Sequence, residues 1–481
     1  MEGARTRETG EGRAPGDHAR ILSTVGEHIG ITIAGLGAIL AVSAGIGADR
    51  QSLLITIASA VPLLVTSRAW RLPWALLAAA AAMPLSVLVV AAAHADALGV
   101  DRAGKLAYLA ALLVGLAAWA RTPGRRGWLA LGLVVLGAVG LARSLASWSG
   151  AGLLVGFLDW HNQTADFLLP AFALGLFLVV LGLPDQTRLP IAHRAAQLLA
   201  AVAAGLLGGG LLLTGSRYGI ALAAIATATA LVAATLVGMG RRTWWPAIRL
   251  AAVVALAALV AVGLRAAGAA PVADLNPLAV VQSRGTGIAS MSARLDFWQA
   301  ALGMGAAHPI TGAGLLRFPE YANCYADLSY WGWTPHNDWL YAWAEGGLVL
   351  LAPMLVLTAG LAALVVRALR PFPRAPELLA DAGRWGGLVA VTASAAALLL
   401  EYDLFYPPIL TMIAGGGALA VAGDLAAGRA GRLRRSRRAA SIAFAILLAL
   451  VAAGFVAVLI DANGGAVPWV PKADYPRDCP L

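Results

Sequence analysis

Apolar runs of about 18 or more residues recur along the chain, separated by short segments that carry arginine. A run of that length crosses the ~30 Å hydrocarbon core of a bilayer as a helix. Soluble folds are therefore excluded. A β-barrel is disfavoured too, because barrel strands alternate apolar and polar residues over ~10 positions, whereas these runs are continuous and rich in Ala and Leu. Composition agrees: only 12% of residues are charged, about half the ~25% of a soluble domain. The chain reads as an all-α polytopic membrane protein.

Thirteen spans are expected, within a range of 12 to 14: 29–47, 52–67, 73–93, 104–120, 127–147, 164–183, 194–213, 218–239, 248–267, 338–366, 385–401, 407–423 and 439–460. The positive-inside rule sets their direction. With the N-terminus in the cytoplasm, 24 of the 35 basic residues fall inside, including the run 432–438. The net charge of +10 is thus a matter of topology and contact with anionic lipid, and no nucleic-acid partner is expected. The first 20 residues are polar and carry Arg5, Arg7, Arg13 and Arg20. No cleavable signal is expected there, and the first span acts as the insertion signal.

The expected organisation is a cytoplasmic tail (1–28), a bundle of nine spans (29–267), a long outer loop (268–337), four more spans (338–460) and an outer tail (461–481). Loops as long as 268–337 are usually functional or disordered, and this one is not low-complexity. Within it, Leu295, Trp298 and Leu302 share one helical face, which predicts an amphipathic helix at the membrane surface. Both cysteines, Cys324 and Cys479, lie outside in this topology, where a disulfide is permitted. Two unpaired thiols are the alternative. Neither has metal-ligand spacing around it.

Ionisable residues mark function inside a membrane. Here Arg143, Asp166, Arg217, Arg265, Asp338, Glu345, Glu401 and Asp403 all fall near the outer ends of their spans, and none near a midplane. A transporter places its sites near the midplane, so a site at the outer membrane–water boundary is expected. The segment 321–343 holds eight Tyr or Trp among 23 residues, Trp331 and Trp333 included. It reads as an interfacial aromatic belt, as a platform for sugar rings, or as both.

Pro335 disfavours helix at Thr334, which puts His336 at a helix entrance. A neutral imidazole there can take a proton from a sugar hydroxyl, with Asp338 or Glu345 orienting it; a plain capping role is the alternative. The turn 214–219 between two spans holds Arg217 on a short support, and Arg294 on the amphipathic helix offers a second planar fork. Two such forks suit the oxygens of a diphosphate.

Together, GSRYG (215–219), SARLDFWQAAL (292–302), HPITGAG (308–314) and PHNDWLYAWAEGGL (335–348) resemble the O-antigen ligase and polymerase superfamily. A looser match, 156–170, places Asn162 at the family's Asn. The resemblance covers roughly 150–365. It implies the membrane architecture of C-type glycosyltransferases and an inverting transfer from undecaprenyl diphosphate on the outer face of the bacterial inner membrane. It assigns His336 as the base that activates the acceptor, and Arg217 and Arg294 as diphosphate ligands. Tyr218, Asn162, Asn337, Asp338, Glu345, Trp331 and Trp333 are candidates for support or sugar contact.

The expected partners are the lipid-linked glycan donor, a lipid A–core or polysaccharide acceptor, and membrane lipids. No cofactor is expected, and no metal, although Glu401 and Asp403 could hold one. A ligase, a repeat-unit polymerase and a transferase to protein hydroxyls all fit these motifs. A lipid-linked glycan transporter and a non-catalytic scaffold are the other readings.

Overall fold

A computed structural model describes residues 15–44, 50–96, 98–150, 152–183, 190–267, 288–326, 328, 332–370, 372–426 and 437–460. Among these residues every regular element is helical. In chain order the helices are α1 (Pro15–Ala44), α2 (Arg50–Thr66), α3 (Trp74–Ala93), α4 (Leu98–Trp119), α5 (Pro123–Ala146), α6 (His161–Leu181), α7 (Pro190–Thr214), α8 (Arg217–Arg241) and α9 (Trp245–Ala267). They continue with α10 (Ile288–Ala307), α11 (Phe318–Tyr321), α12 (Asp338–Leu369), α13 (Ala375–Ala380), α14 (Ala382–Ala397), α15 (Pro407–Ala426) and α16 (Arg437–Ile460).

Ten of these are long and apolar enough to cross a membrane. Shorter apolar helices, Ile55–Thr66 and Ser441–Ala452, fall on two more of the expected spans. The remaining one, expected at 385–401, is the 16-residue α14, which ends at Ala397. The polytopic all-helical fold therefore stands, while the count of thirteen is not established.

Helix α6 is the axis of the bundle. It is apolar nearly all round, and its whole length is buried, as expected of a helix with no polar face. It packs against α5, α7, α8 and α14. Small residues allow the close approach that substitutes for a hydrophobic driving force in lipid. A Cβ on Gly175, for instance, would lie 2.8 Å from Ala204 Cβ. Caps fix the helix starts: Thr122 accepts from Arg125 N before α5, and Ser216 accepts from Gly219 N before α8.

Two helices depart from a plain bundle. Helix α10 forms where a helix was expected, but its buried face is Phe297, Ala300, Ala301 and Met304, while Leu295 and Leu302, from the expected apolar face, are exposed. Its buried face packs on Phe318, Ala322 and Ala344. Helix α12 is broken at Gly347, which has φ 55° and ψ −152°. A short first segment (338–346) is thus set apart from the long apolar one.

Candidate active site

Four elements converge at one end of the bundle. The turn 398–406 links α14 to α15 and carries Glu401, whose side chain is fully buried. His336 Nδ1 lies 3.0 Å from Glu401 Oε2. Arg294 Nη2 of α10 donates to Glu401 Oε1 at 2.7 Å, and Asn162 Nδ2 of α6 donates to the same oxygen at 2.6 Å. Gln163 Nε2 reaches Oε2 at 3.4 Å. One carboxylate therefore gathers four side chains from three separate parts of the chain.

Burial alone would raise the Glu401 carboxyl. The hydrogen bond and charge of His336, the charge of Arg294 and the Asn162 hydrogen bond outweigh it and hold the group below its ordinary value. An ionised carboxylate only accepts, so Nδ1 of His336 carries the hydrogen. In the neutral ring, Nε2 is then the basic nitrogen.

The turn that presents His336 is held from every side. His336 has φ 49°, a left-handed conformation that costs a non-glycine residue about 1–2 kcal/mol and tends to mark functional sites. Its N–H donates to Thr334 Oγ1, and Trp298 Nε1 of α10 donates to the Pro335 carbonyl at 3.0 Å. Asn337 caps α12, its Oδ1 accepting from Trp339 N and Leu340 N, and its Nδ2 donates to Leu399 O at 2.9 Å. Asp338 N donates to Leu398 O at 2.8 Å, and Asp338 Oδ2 accepts from Asp403 N at 2.9 Å. Asn337 and Asp338 thus register the His336 turn against the Glu401 turn.

The α6 and α8 ends complete the site. Tyr218 OH donates to Asp166 Oδ2 at 2.6 Å, which ties the start of α8 to α6 and brings Arg217, exposed at the first position of α8, to the same end. Asp166 also lies beside Asp403 in the buried site, and two carboxyls held this close do not both ionise readily. Burial and the nearby Asp166 charge push Asp403 well above the ordinary aspartate value.

Glu345 lies elsewhere than expected. It is fully buried and accepts from Phe318 N (2.9 Å) and Leu316 N, with Arg102 Nη1 at 3.6 Å. Arg102 in turn sits 4.5 Å from the Phe405 ring centroid. Glu345 therefore clamps the segment 308–318 onto α12. The same segment takes over the helix's broken ladder. Ala313 N and Gly314 N donate to the Ala344 and Glu345 carbonyls, and Leu348 N and Val349 N donate to the Pro309 and Ile310 carbonyls. This exchange gives HPITGAG and EGG their physical meaning as the two halves of one backbone joint.

Of the residues singled out in the sequence, His336, Arg294 and Asn162 meet on Glu401; Asn337, Asp338, Tyr218 and Arg217 surround them. Trp333 is exposed nearby. Trp331 and Cys479 lie outside the described residues, and Cys324 ends the turn Ala322–Cys324. Glu401 is the residue that sequence reasoning weighed only as a metal ligand. In the structure it faces His336 and Arg294, while Asp403 faces Asp166. Among the described residues, no three His, Cys, Asp or Glu side chains are grouped to hold a metal. The signal available was its place: an acid on an outer turn, expected on the same face as His336. Gln163, beside Asn162, carried no such signal.

No curated protein matches the chain. Residues 202–355 match the family model described as O-antigen ligase. The matched segment contains Arg217, Arg294 and His336, the joint at 308–314 and the broken start of α12. Through this segment, about a third of its length, the chain is similar to the O-antigen ligase family.

Proposed function

We propose that this protein is an inverting, ligase-type glycosyltransferase working at the periplasmic face of a bacterial inner membrane. It would move a glycan from undecaprenyl diphosphate to an acceptor hydroxyl of lipid A–core. The observation that carries this reading is the placement of a base candidate and a cation candidate, His336 and Arg294, on one buried carboxylate.

In the proposed step the acceptor oxygen attacks the anomeric carbon, and its proton passes to His336 Nε2. The bond from the anomeric carbon to the diphosphate oxygen breaks with its electron pair, on the face opposite attack, and the configuration inverts. Undecaprenyl diphosphate leaves. Arg294 and Arg217 stabilise the charge that grows on its oxygens, in a site already organised to receive it. Glu401 stabilises the imidazolium, as the buried acid does in a Ser-His-Asp arrangement.

The donor tail has a matching surface. An apolar groove of about 450 Å³ runs along α8 from Leu222 to Leu236, against Val389 and Thr392 of α14. It starts about a turn and a half along α8 from Arg217, within reach of a lipid whose diphosphate lies there.

A repeat-unit polymerase is the alternative. A deletion strain complemented with wild type or His336→Ala separates the two. Long chains stranded on polyprenyl diphosphate beside bare acceptor identify a ligase, whereas single repeat units identify a polymerase. A wild-type glycan profile from His336→Ala would overturn both. We also propose a Cys324–Cys479 bridge, permitted by the exported compartment. A single linked peptide under non-reducing digestion is expected; two alkylated thiols in unreduced protein would exclude it.

A further inference from the structure

The end of the bundle opposite the candidate site carries a second set of arginines with a different setting. Helix α5 is 24 residues long, about 36 Å, and its far end holds Arg125 and Arg126. Arg126 is buried and fully engaged: two of its nitrogens reach the Asp381 carboxylate, and Nη1 reaches the carbonyls of Ala120 and Arg121. Its neighbours are arranged otherwise. Arg68, Arg71 and Arg125 lie close enough to Arg121 to act on its charge, as does Glu27, the carboxylate that Arg125 meets at 2.8 Å. Arg68 donates to Ser23 Oγ at 2.6 Å. Burial and the positive charges of Arg71, Arg125 and Arg68 hold the Arg121 guanidinium below its ordinary value, with Glu27 opposing. Among the described residues, four like charges with a single acid, Glu27, form a cluster short of negative charge.

An apolar groove of about 490 Å³ opens directly beneath this cluster, between α1, α4 and α5. Its mouth is formed by Ile31, Trp119 and Trp128. Arg125 lies 5.4 Å from the Trp119 ring centroid and donates to the Trp119 carbonyl. Tryptophan at such a mouth is the residue type that settles at headgroup level. From Trp128 to Val139 the groove follows α5 for about 16 Å, close to half of a ~30 Å hydrocarbon core and so to one leaflet. Gly35 and Gly132 line it, and a Cβ added to either would meet nothing within 4 Å.

We propose that this arginine cluster binds the phosphate headgroup of an anionic diacyl phospholipid whose acyl chain lies in the α1–α4–α5 groove. The charge excess supplies the selectivity for an anion, and the one-leaflet length supplies the fit to an acyl chain. This site is independent of the glycosyltransferase reading, because it lies at the other end of the bundle and shares no residue with it.

The test is native mass spectrometry of the full-length protein released from micelles holding equal phosphatidylglycerol and phosphatidylcholine. Wild type is expected to retain phosphatidylglycerol preferentially. Arg71→Gln/Arg121→Gln, which removes two charges and leaves the Arg126–Asp381 pair in place, is expected to lose that preference by about 30-fold. Gly132→Leu, filling the groove where no protein atom stands, is expected to reduce retention of both lipids while the arginines stay in place. Equal retention of the two lipids by wild type would overturn the proposal. So would unchanged preference in the double variant, or displacement of phosphatidylglycerol by added undecaprenyl phosphate, which would make the groove a donor-tail site.

Discussion

Glu401→Gln is expected to slow glycan transfer by about 10²- to 10⁴-fold while the protein stays folded. The carboxylate accepts from His336, Arg294, Asn162 and Gln163 at once. A glutamine has one acceptor oxygen, and its amide group would face donors. The imidazole would lose the partner that keeps hydrogen on Nδ1, and the wrong tautomer leaves no base where the acceptor arrives. The corresponding acid-to-amide change in a Ser-His-Asp arrangement costs about 10⁴. Arg294 would also lose its countercharge. Glu401→Ala should be worse for stability, because removing one partner of a buried ion pair costs about 3–5 kcal/mol.

The pH dependence of this contribution has a definite sign. The folded-state value of Glu401 lies below the ordinary 4.5, so its stabilisation is complete above that value and is lost as pH falls through the folded one. Thermal melts of wild type and Glu401→Gln between pH 3 and pH 7 should therefore converge at the acid end. Wild-type transfer by a folded Glu401→Gln protein would remove Glu401 from the mechanism.

The second large effect belongs to the backbone joint. Gly312 has φ 66°, and a Cβ there would lie 2.2 Å from the Glu345 carbonyl carbon. Gly347, with φ 55°, faces Gly312 N at 2.6 Å from its own would-be Cβ. Neither can take a side chain without pulling 308–314 away from α12, which would break the four backbone hydrogen bonds that bridge the helix interruption. Gly312→Ala is expected to destabilise the protein by about 3 kcal/mol or more, combining positive-φ strain with overpacking. The measurement is the thermal midpoint of purified protein in detergent. An unchanged midpoint would mean that the joint can open without cost.

The legible parts of the fold were those written in long periodic or continuous patterns. The apolar runs located most helices to within about six residues, although α1 begins at Pro15, well before the expected 29, and a helix forms around Leu295, Trp298 and Leu302 although Phe297, Ala300, Ala301 and Met304 are its buried face. Charges confined to span ends pointed to the end of the bundle where the Glu401 cluster lies. Pro335 before His336 correctly predicted a non-helical turn at the helix entrance. What stayed hidden depends on contacts between distant segments. The Glu401 acid is 65 residues from its histidine, and no local spacing encodes that approach. Glu345, close to His336 in sequence, instead turns to Arg102 and the 316–318 backbone, because the helix breaks two residues later. The break itself was hidden because Gly346-Gly347 lies in a run that otherwise reads as one continuous span.

The most direct test of the central claim is single-turnover transfer by purified His336→Ala in lipid nanodiscs, using a synthetic polyprenyl-diphosphate glycan and an acceptor. If His336 is the base oriented by Glu401, donor still binds, and release of polyprenyl diphosphate falls by about 10²- to 10⁴-fold. Release at the wild-type rate would contradict the account, leaving His336 as a capping residue and the Glu401 cluster as structure alone.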